Sequence, residues 1–117
     1  MTNVFLINAH EPGFGSYSPG RLNRSLFDKA HDFCVRRGFN VRTTHSAEPW
    51  NSDEEIEKHL WCNYLLIQSP VNWMGFPWSF KRYIDLIYTL DGYEMLWMGT
   101  GRSRANPEKI TELKVVY

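Results

Sequence analysis

Four consecutive apolar residues, Val4-Phe5-Leu6-Ile7, give way to Asn8-Ala9-His10. A short continuous apolar run predicts a strand buried on both faces, as in a parallel sheet. Breakers then crowd residues 12–20 (Pro12, Gly13, Gly15, Pro19, Gly20), which predicts a loop. From about residue 22 to 37 the period changes. Leu22, Leu26, Ala30, Phe33 and Cys34 fall at helical spacing, predicting a helix with that face toward the core. Arg36-Arg37 suit its negative end, and Gly38 is a ready left-handed stop. Phe39, Val41 and Thr43 alternate with polar residues and predict a second strand, toward a sheet edge. Ser52-Asp53-Glu54-Glu55 matches a capping box, predicting a helix to about residue 60 with Ile56, His59 and Leu60 turned inward. Tyr64-Leu65-Leu66-Ile67 repeats the apolar run as a third strand, ending at Gln68-Ser69-Pro70. Pro77 is placed to open a third helix at its first position, with Phe80, Ile84, Ile87 and Tyr88 as the apolar face. Asp91-Gly92 is a turn signal and residues 93–113 show no clear period. Val115-Val116-Tyr117 predict the opening of a fourth strand.

Strands alternating with helices predict βαβ crossovers and a parallel α/β sheet. In such sheets ligands sit beyond the carboxyl ends of the strands. The two most unusual segments, residues 8–23 and 68–78, both fall there.

Composition narrows the function classes. The 117 residues make one domain, 1–117. Thirteen basic residues balance thirteen acidic ones, so there is no polybasic footprint for nucleic acid or an anionic membrane. No apolar stretch approaches the ~20 residues of a membrane span. Cys34 and Cys62 give no disulfide framework, and Met1-Thr2-Asn3-Val4 is no signal peptide, so the expected compartment is the cytoplasm. Aromatic residues reach 15%, high for a small domain, which points some rings at a ligand or a partner.

The loop after the first strand delivers the chain to a helix N-terminus, where free N–H groups and a partial positive charge make an anion site. Arg21 and Arg24 lie in that first turn, where unopposed cations are disfavoured by ~0.3–1 kcal/mol each. They fit either a neutralising anion such as a pyrophosphate or plain exposure, with pairing to Glu11 or Asp28. Gly13, Gly15 and Gly20 make neither G-x-G-x-x-G nor a P-loop. After the third strand, Trp73, Met74, Phe76 and Trp78 crowd six positions at a strand tip. So much apolar area on a loop calls for a cover: an aromatic cofactor, another subunit, or packing of the rings under a lid. Of the histidines, His31 and His59 read as packed helix residues, while His10 sits at a strand tip, able to meet a phosphate or cap the loop. His59 and Cys62 lack two further ligands, so no metal site is expected. Cys34 reads as core-facing and inert, and no Cys-His or Ser-His nucleophile arises.

Several strings together resemble the flavodoxin-like NAD(P)H:quinone oxidoreductases, and within them the modulator of drug activity B group. They are Ala9-His10 after the first strand, Gly20-Arg21-Leu22-Asn23, and Ser69-Pro70-Val71-Asn72-Trp73-Met74-Gly75-Phe76-Pro77-Trp78 followed by Lys81-Arg82-Tyr83-Ile84-Asp85. Trp61 and Gly101-Arg102-Ser103-Arg104 also fit. The resemblance covers nearly the whole chain and implies a flavodoxin-like three-layer fold. It implies FAD, rather than FMN, at the strand tips, with NAD(P)H as co-substrate, a quinone substrate and a homodimer with the active site at the interface. By position, His10, Gly20, Arg21, Leu22 and Asn23 would hold the pyrophosphate and ribityl chain. Pro70, Val71, Asn72, Trp73 and Met74 would line the isoalloxazine, with Trp73 against the ring. The flavin does the redox chemistry, so no side-chain acid or base is assigned.

Family members continue with the rest of the fourth strand and further strand–helix units, so the chain reads as the N-terminal portion of the family fold, cut at the start of strand four. Two alternatives follow. One is a non-catalytic flavodoxin-like module that dimerises or regulates through the Trp73–Trp78 surface. The other, a one-electron FMN carrier, is disfavoured because the first loop lacks a Ser/Thr-rich phosphate cradle.

Overall fold

The computed structural model describes residues 2–12 and 20–88, and the backbone of residues 112–116. Four strands, β1 (Asn3–Asn8), β2 (Asn40–His45), β3 (Tyr64–Gln68) and β4 (Glu112–Val116), alternate with α1 (Arg21–Arg36), α2 (Ser52–Trp61) and α3 (Trp78–Ile87). All pairings are parallel, in the order β2-β1-β3-β4. The expected α/β sheet is therefore present. Its period-2 side chains divide between two layers. Phe5, Ile7, Leu65 and Ile67 pack against Ile56 of α2 and against Phe80, Tyr83 and Ile87 of α3. Val4, Leu6 and Leu66 face the other way, with Cys34 and Phe27 of α1. β1 is apolar throughout its middle because it is covered on both faces.

Local chemistry sets the boundaries. Gly38 takes φ +79° after α1, and the Phe39 N–H donates to the Cys34 carbonyl, the left-handed stop expected there. α2 is capped one residue earlier than the Ser52 box predicts: Asn51 Oδ1 accepts from the N–H groups of Asp53 (2.9 Å) and Glu54 (3.2 Å). Pro77 is the N-cap of α3, not its first helical residue. β4 begins three residues before the expected Val115. The expected turn at Asp91-Gly92, Tyr117 and the Gly101–Arg104 string lie outside the described residues.

The largest departure is in α1. Of its expected core face only Cys34 is buried; Leu22 is 74% and Phe33 49% exposed, and Leu26 is exposed too. The helix is rotated so that Asn23, Phe27 and Cys34 meet the sheet. His31, expected to be packed, sits at the surface beside Asp32. His59 is fully buried as expected.

Behind the sheet, a buried polar chain links α2, α3 and the end of β2. Tyr83 Oη donates to Glu55 Oε1 (2.8 Å), and Lys58 Nζ bridges Glu55 Oε2 (2.9 Å) and Thr44 Oγ1 (2.9 Å). His59 Nδ1–H donates to the Glu55 carbonyl (2.7 Å), leaving Nε2 to accept from the Tyr88 hydroxyl (2.6 Å). Burial pushes His59 down to about 4 and the Cys62 thiol up to about 11.

Candidate functional site

The carboxyl ends of β1, β2 and β3 form one rim because the strands are parallel and in near register. Asn8 stands between His45 and Gln68. Backbone bonds continue past the ladder: Ala9 N–H donates to Gln68 and Ser46 N–H to Asn8, each at 2.9 Å. α1 is tied to this rim through Asn23. Its Nδ2 donates to Asn8 Oδ1 (2.8 Å) and its Oδ1 accepts from Gln68 Nε2 (3.2 Å). Asn8 Oδ1 also accepts from the His10 N–H (3.1 Å). Buried Asn23 is thus spent on joining two strand tips to a helix start.

Among the described residues that helix start is uncapped by any side chain. Gly20 is its N-cap with φ +82° and no side-chain cap, and no acid lies in the first turn. The N–H groups of Arg21, Leu22 and Asn23 have no acceptor among the described residues. Arg21 and Arg24 are exposed, with no ion-pair partner among the described residues. Gly20 abuts the His10 ring so closely that a Cβ would stand 2.3 Å from Nε2. His10 is itself 6% exposed, and neither ring nitrogen has a hydrogen-bond partner among the described residues. Burial, and next the neighbouring His45, hold its pKa below the ordinary 6.5; Glu11 acts in the opposite sense.

After β3, the chain makes a two-residue hairpin closed by Asn72 N–H to Gly75 O (2.8 Å) and Gly75 N–H to Asn72 O (3.0 Å). Its central residues are Trp73 (φ 49°) and Met74 (φ 64°), both left-handed. Turns with positive φ at both centres favour Asn and Gly. Here they hold two bulky side chains that are 99% and 96% exposed. Left-handed non-glycine residues cost on the order of 1–2 kcal/mol each. Of the four large residues in this segment, Phe76 packs inward on Phe80 (4.8 Å between centroids), while Trp78 stays exposed beside the turn.

A cavity of about 620 Å³ opens at the β1–β2 side of the rim. Asn8, His10, Gly20 and Arg24 line it together with Thr44, His45, Trp50, Glu55 and Lys58. The expected residues therefore separate into three groups, apart from Asn23, which ties α1 to the strand tips. His10 and Gly20 line the cavity; Pro70, Val71, Asn72, Trp73 and Met74 occupy the neighbouring β3 tip; Arg21 and Leu22 point outward. The contribution of the β2 tip was not foreseen. Its only sequence signals were His45 ending an alternating strand and Trp50 isolated beside Pro49.

A sequence profile of the flavodoxin-like fold matches residues 2–102. This chain belongs to the flavodoxin-like family. It is 39% identical over 104 residues to an uncharacterized protein of Schizosaccharomyces pombe, covering 89% of this chain and 52% of that protein. It is 36% identical over 105 residues to the NADPH:quinone oxidoreductase MdaB of Haemophilus influenzae, covering 90% and 53%. The relation to MdaB agrees with the resemblance carried by the two loops. The fold also matches the crystal structure of a Klebsiella pneumoniae protein described as a candidate quinone reductase. There the TM-score is 0.62 at 21% identity, over 75% of this chain and 46% of that one. The chain spans about half the length of the curated relatives it matches.

Proposed function

We propose that this flavodoxin-like chain binds FAD at the carboxyl rim and serves cytoplasmic two-electron reduction of quinones by NAD(P)H, as part of a homodimer. One observation carries the reading. Every buried side-chain polar atom without a partner among the described residues lies at that rim: both ring nitrogens of His10, Ser46 Oγ, Asn72 Nδ2 and Ser79 Oγ. Buried polar groups are ordinarily satisfied, so a cluster of orphans at one edge fits a polar ligand. His10 and Asn72 belong to the two loops that resemble the family's flavin loops, and the Gly20 cradle fits the same group.

His10 and the N–H groups of Arg21, Leu22 and Asn23 would hold the pyrophosphate, with Arg21 adding charge. Gly20 keeps the His10 imidazole in place by lacking a side chain. Pro70, Val71, Asn72, Trp73 and Met74 would flank the isoalloxazine. When bound, the flavin would supply the chemistry of hydride transfer between NAD(P)H and a quinone, with solvent providing the proton of the quinol. The chain's share is to bind, orient and exclude water.

The complete exposure of Trp73 and Met74 favours a second reading, a non-catalytic module that associates through this turn. Purification with added FAD separates the two. The quinone-reductase reading predicts a yellow protein that oxidises NAD(P)H only when a quinone is supplied. A colourless oligomer that Trp73→Ala dissociates would overturn it.

A further inference from the structure

The β2 tip offers the cavity a donor that the two resembling loops do not include. Residues paired across parallel strands point to the same face of a sheet. Asn8 pairs with His45, and His10 lies two residues past Asn8, so both histidines fall on the face that carries α1. Beyond the ladder the chain turns at once. Glu48 N–H donates to the His45 carbonyl (3.1 Å), and Ala47 N–H donates to His45 Nδ1 (3.2 Å). The second bond fixes both ring and tautomer, because Nδ1 accepts and the proton is therefore on Nε2. The half-buried ring lines the cavity of about 620 Å³ with His10 and Arg24, and among the described residues its Nε2–H has no acceptor. It is close enough to His10 to be one cause of that ring's lowered pKa. Lys58, the ammonium at this tip, is already occupied. Its Nζ donates to Glu55 Oε2, Thr44 Oγ1 and the Thr43 carbonyl. Asp28, Glu48 and Glu54 also line the cavity, but their side chains are exposed and screened by water, and Glu55 is held by Tyr83 and Lys58.

We propose that His45 Nε2–H binds the second phosphoryl group of a diphosphate at this rim, and is thereby the residue that selects FAD over FMN. The selectivity rests on the flavin reading above; the diphosphate grip does not. The unpartnered His10 ring and the N–H groups of Arg21, Leu22 and Asn23 gather where β1 meets α1, and suit one phosphoryl group. His45 stands one strand away, ~4.8 Å across the sheet. Donors spread over that distance suit two linked phosphoryl groups, and a single group at α1 leaves His45 unreached. The strand order gives the direction. β2 lies on the side of β1 away from β3, so a ligand with its ring system at the β3 turn and its first phosphoryl at β1 carries its second toward His45. Because the Ala47 bond already holds the ring, little side-chain freedom is lost when the anion arrives.

The test is calorimetric titration of FAD, FMN and inorganic pyrophosphate into the purified chain and two variants. His45→Asn keeps an acceptor for the Ala47 N–H and removes the donor into the cavity. His45→Gln returns an N–H donor at the reach of Nε2. In His45→Asn, affinity for FAD and for pyrophosphate falls about tenfold or more, the ordinary worth of a charge-assisted hydrogen bond. Its FMN affinity and unfolding midpoint match those of the parent chain, and His45→Gln recovers the lost affinity. FAD affinity unchanged in His45→Asn, FAD and FMN falling by the same factor, or no recovery in His45→Gln overturns the proposal and leaves the flavin reading standing. Pyrophosphate binding that depends on His45, with no binding of either flavin, overturns the flavin reading and the selectivity built on it, and supports the diphosphate grip. A chain that binds none of the three overturns both.

Discussion

Burial strips His10 of water without giving its ring a protein partner among the described residues, and its pKa falls below 6.5 in consequence. A bound phosphate would reverse that balance by favouring the imidazolium. The sign follows: binding takes up a proton, and affinity rises as pH falls from the raised pKa of the complex to the lower pKa of the free chain. Calorimetry of FAD binding in buffers of different ionisation heat should register that uptake. His10→Ala should abolish it and weaken binding about tenfold or more, the ordinary worth of a charge-assisted hydrogen bond. Gly20→Ala meets two obstacles, a Cβ driven into the His10 ring and a left-handed φ of +82°. It should lower the unfolding midpoint, with a loss of about 1–3 kcal/mol, and abolish binding. Asn23→Ala should cost about 1–3 kcal/mol in urea titration, because Asn8 and Gln68 lose a buried partner together.

At the scale of elements, the β3 hairpin joins strain to exposure. Trp73→Asn with Met74→Gly supplies the residues such a turn prefers. Relief of two left-handed bulky residues should stabilise the chain by about 1–2 kcal/mol, read as a higher Tm, while FAD binding weakens. If the double variant loses stability, the turn is not strained and this account of it fails. The alternation of strands with the three helices was legible in the sequence, because continuous apolar runs and helical spacing are local signals. Both strand-tip loops could be placed on one rim because parallel strands leave no other option. The α1 face was not legible. Periodicity shows that Leu22, Leu26 and Phe33 share a stripe, but not which neighbour meets it, and here Asn23 anchors the helix in a different rotation. The Trp73-Met74 turn was hidden for a related reason: nothing in its residue types announces positive φ. The β2 tip was missed because its contribution to the cavity depends on crossover geometry rather than on a motif.

Over the whole molecule, the layer holding Glu55, His59, Tyr83 and Tyr88 ties α2 and α3 behind the sheet and, through Lys58 and Thr44, steadies the β2 tip that lines the cavity. His59 is neutral there, down at about 4 against 6.5 when unfolded. The unfolded chain thus binds the proton first. Its contribution to stability is complete above pH 6.5 and is lost as pH falls toward 4, by up to about 3 kcal/mol. Urea midpoints from pH 7 to pH 4 should follow that slope, and His59→Gln should flatten it. The central proposal is that two turns on one rim, one with N–H groups and an imidazole left unpartnered among the described residues and the other with exposed apolar side chains, together hold a flavin dinucleotide. Titrating FAD into the purified chain while following flavin fluorescence tests that most directly. The account predicts saturable one-to-one binding with quenching, at least tenfold tighter than FMN and lost in His10→Ala. No saturable binding, or FAD binding unchanged in His10→Ala, would contradict it.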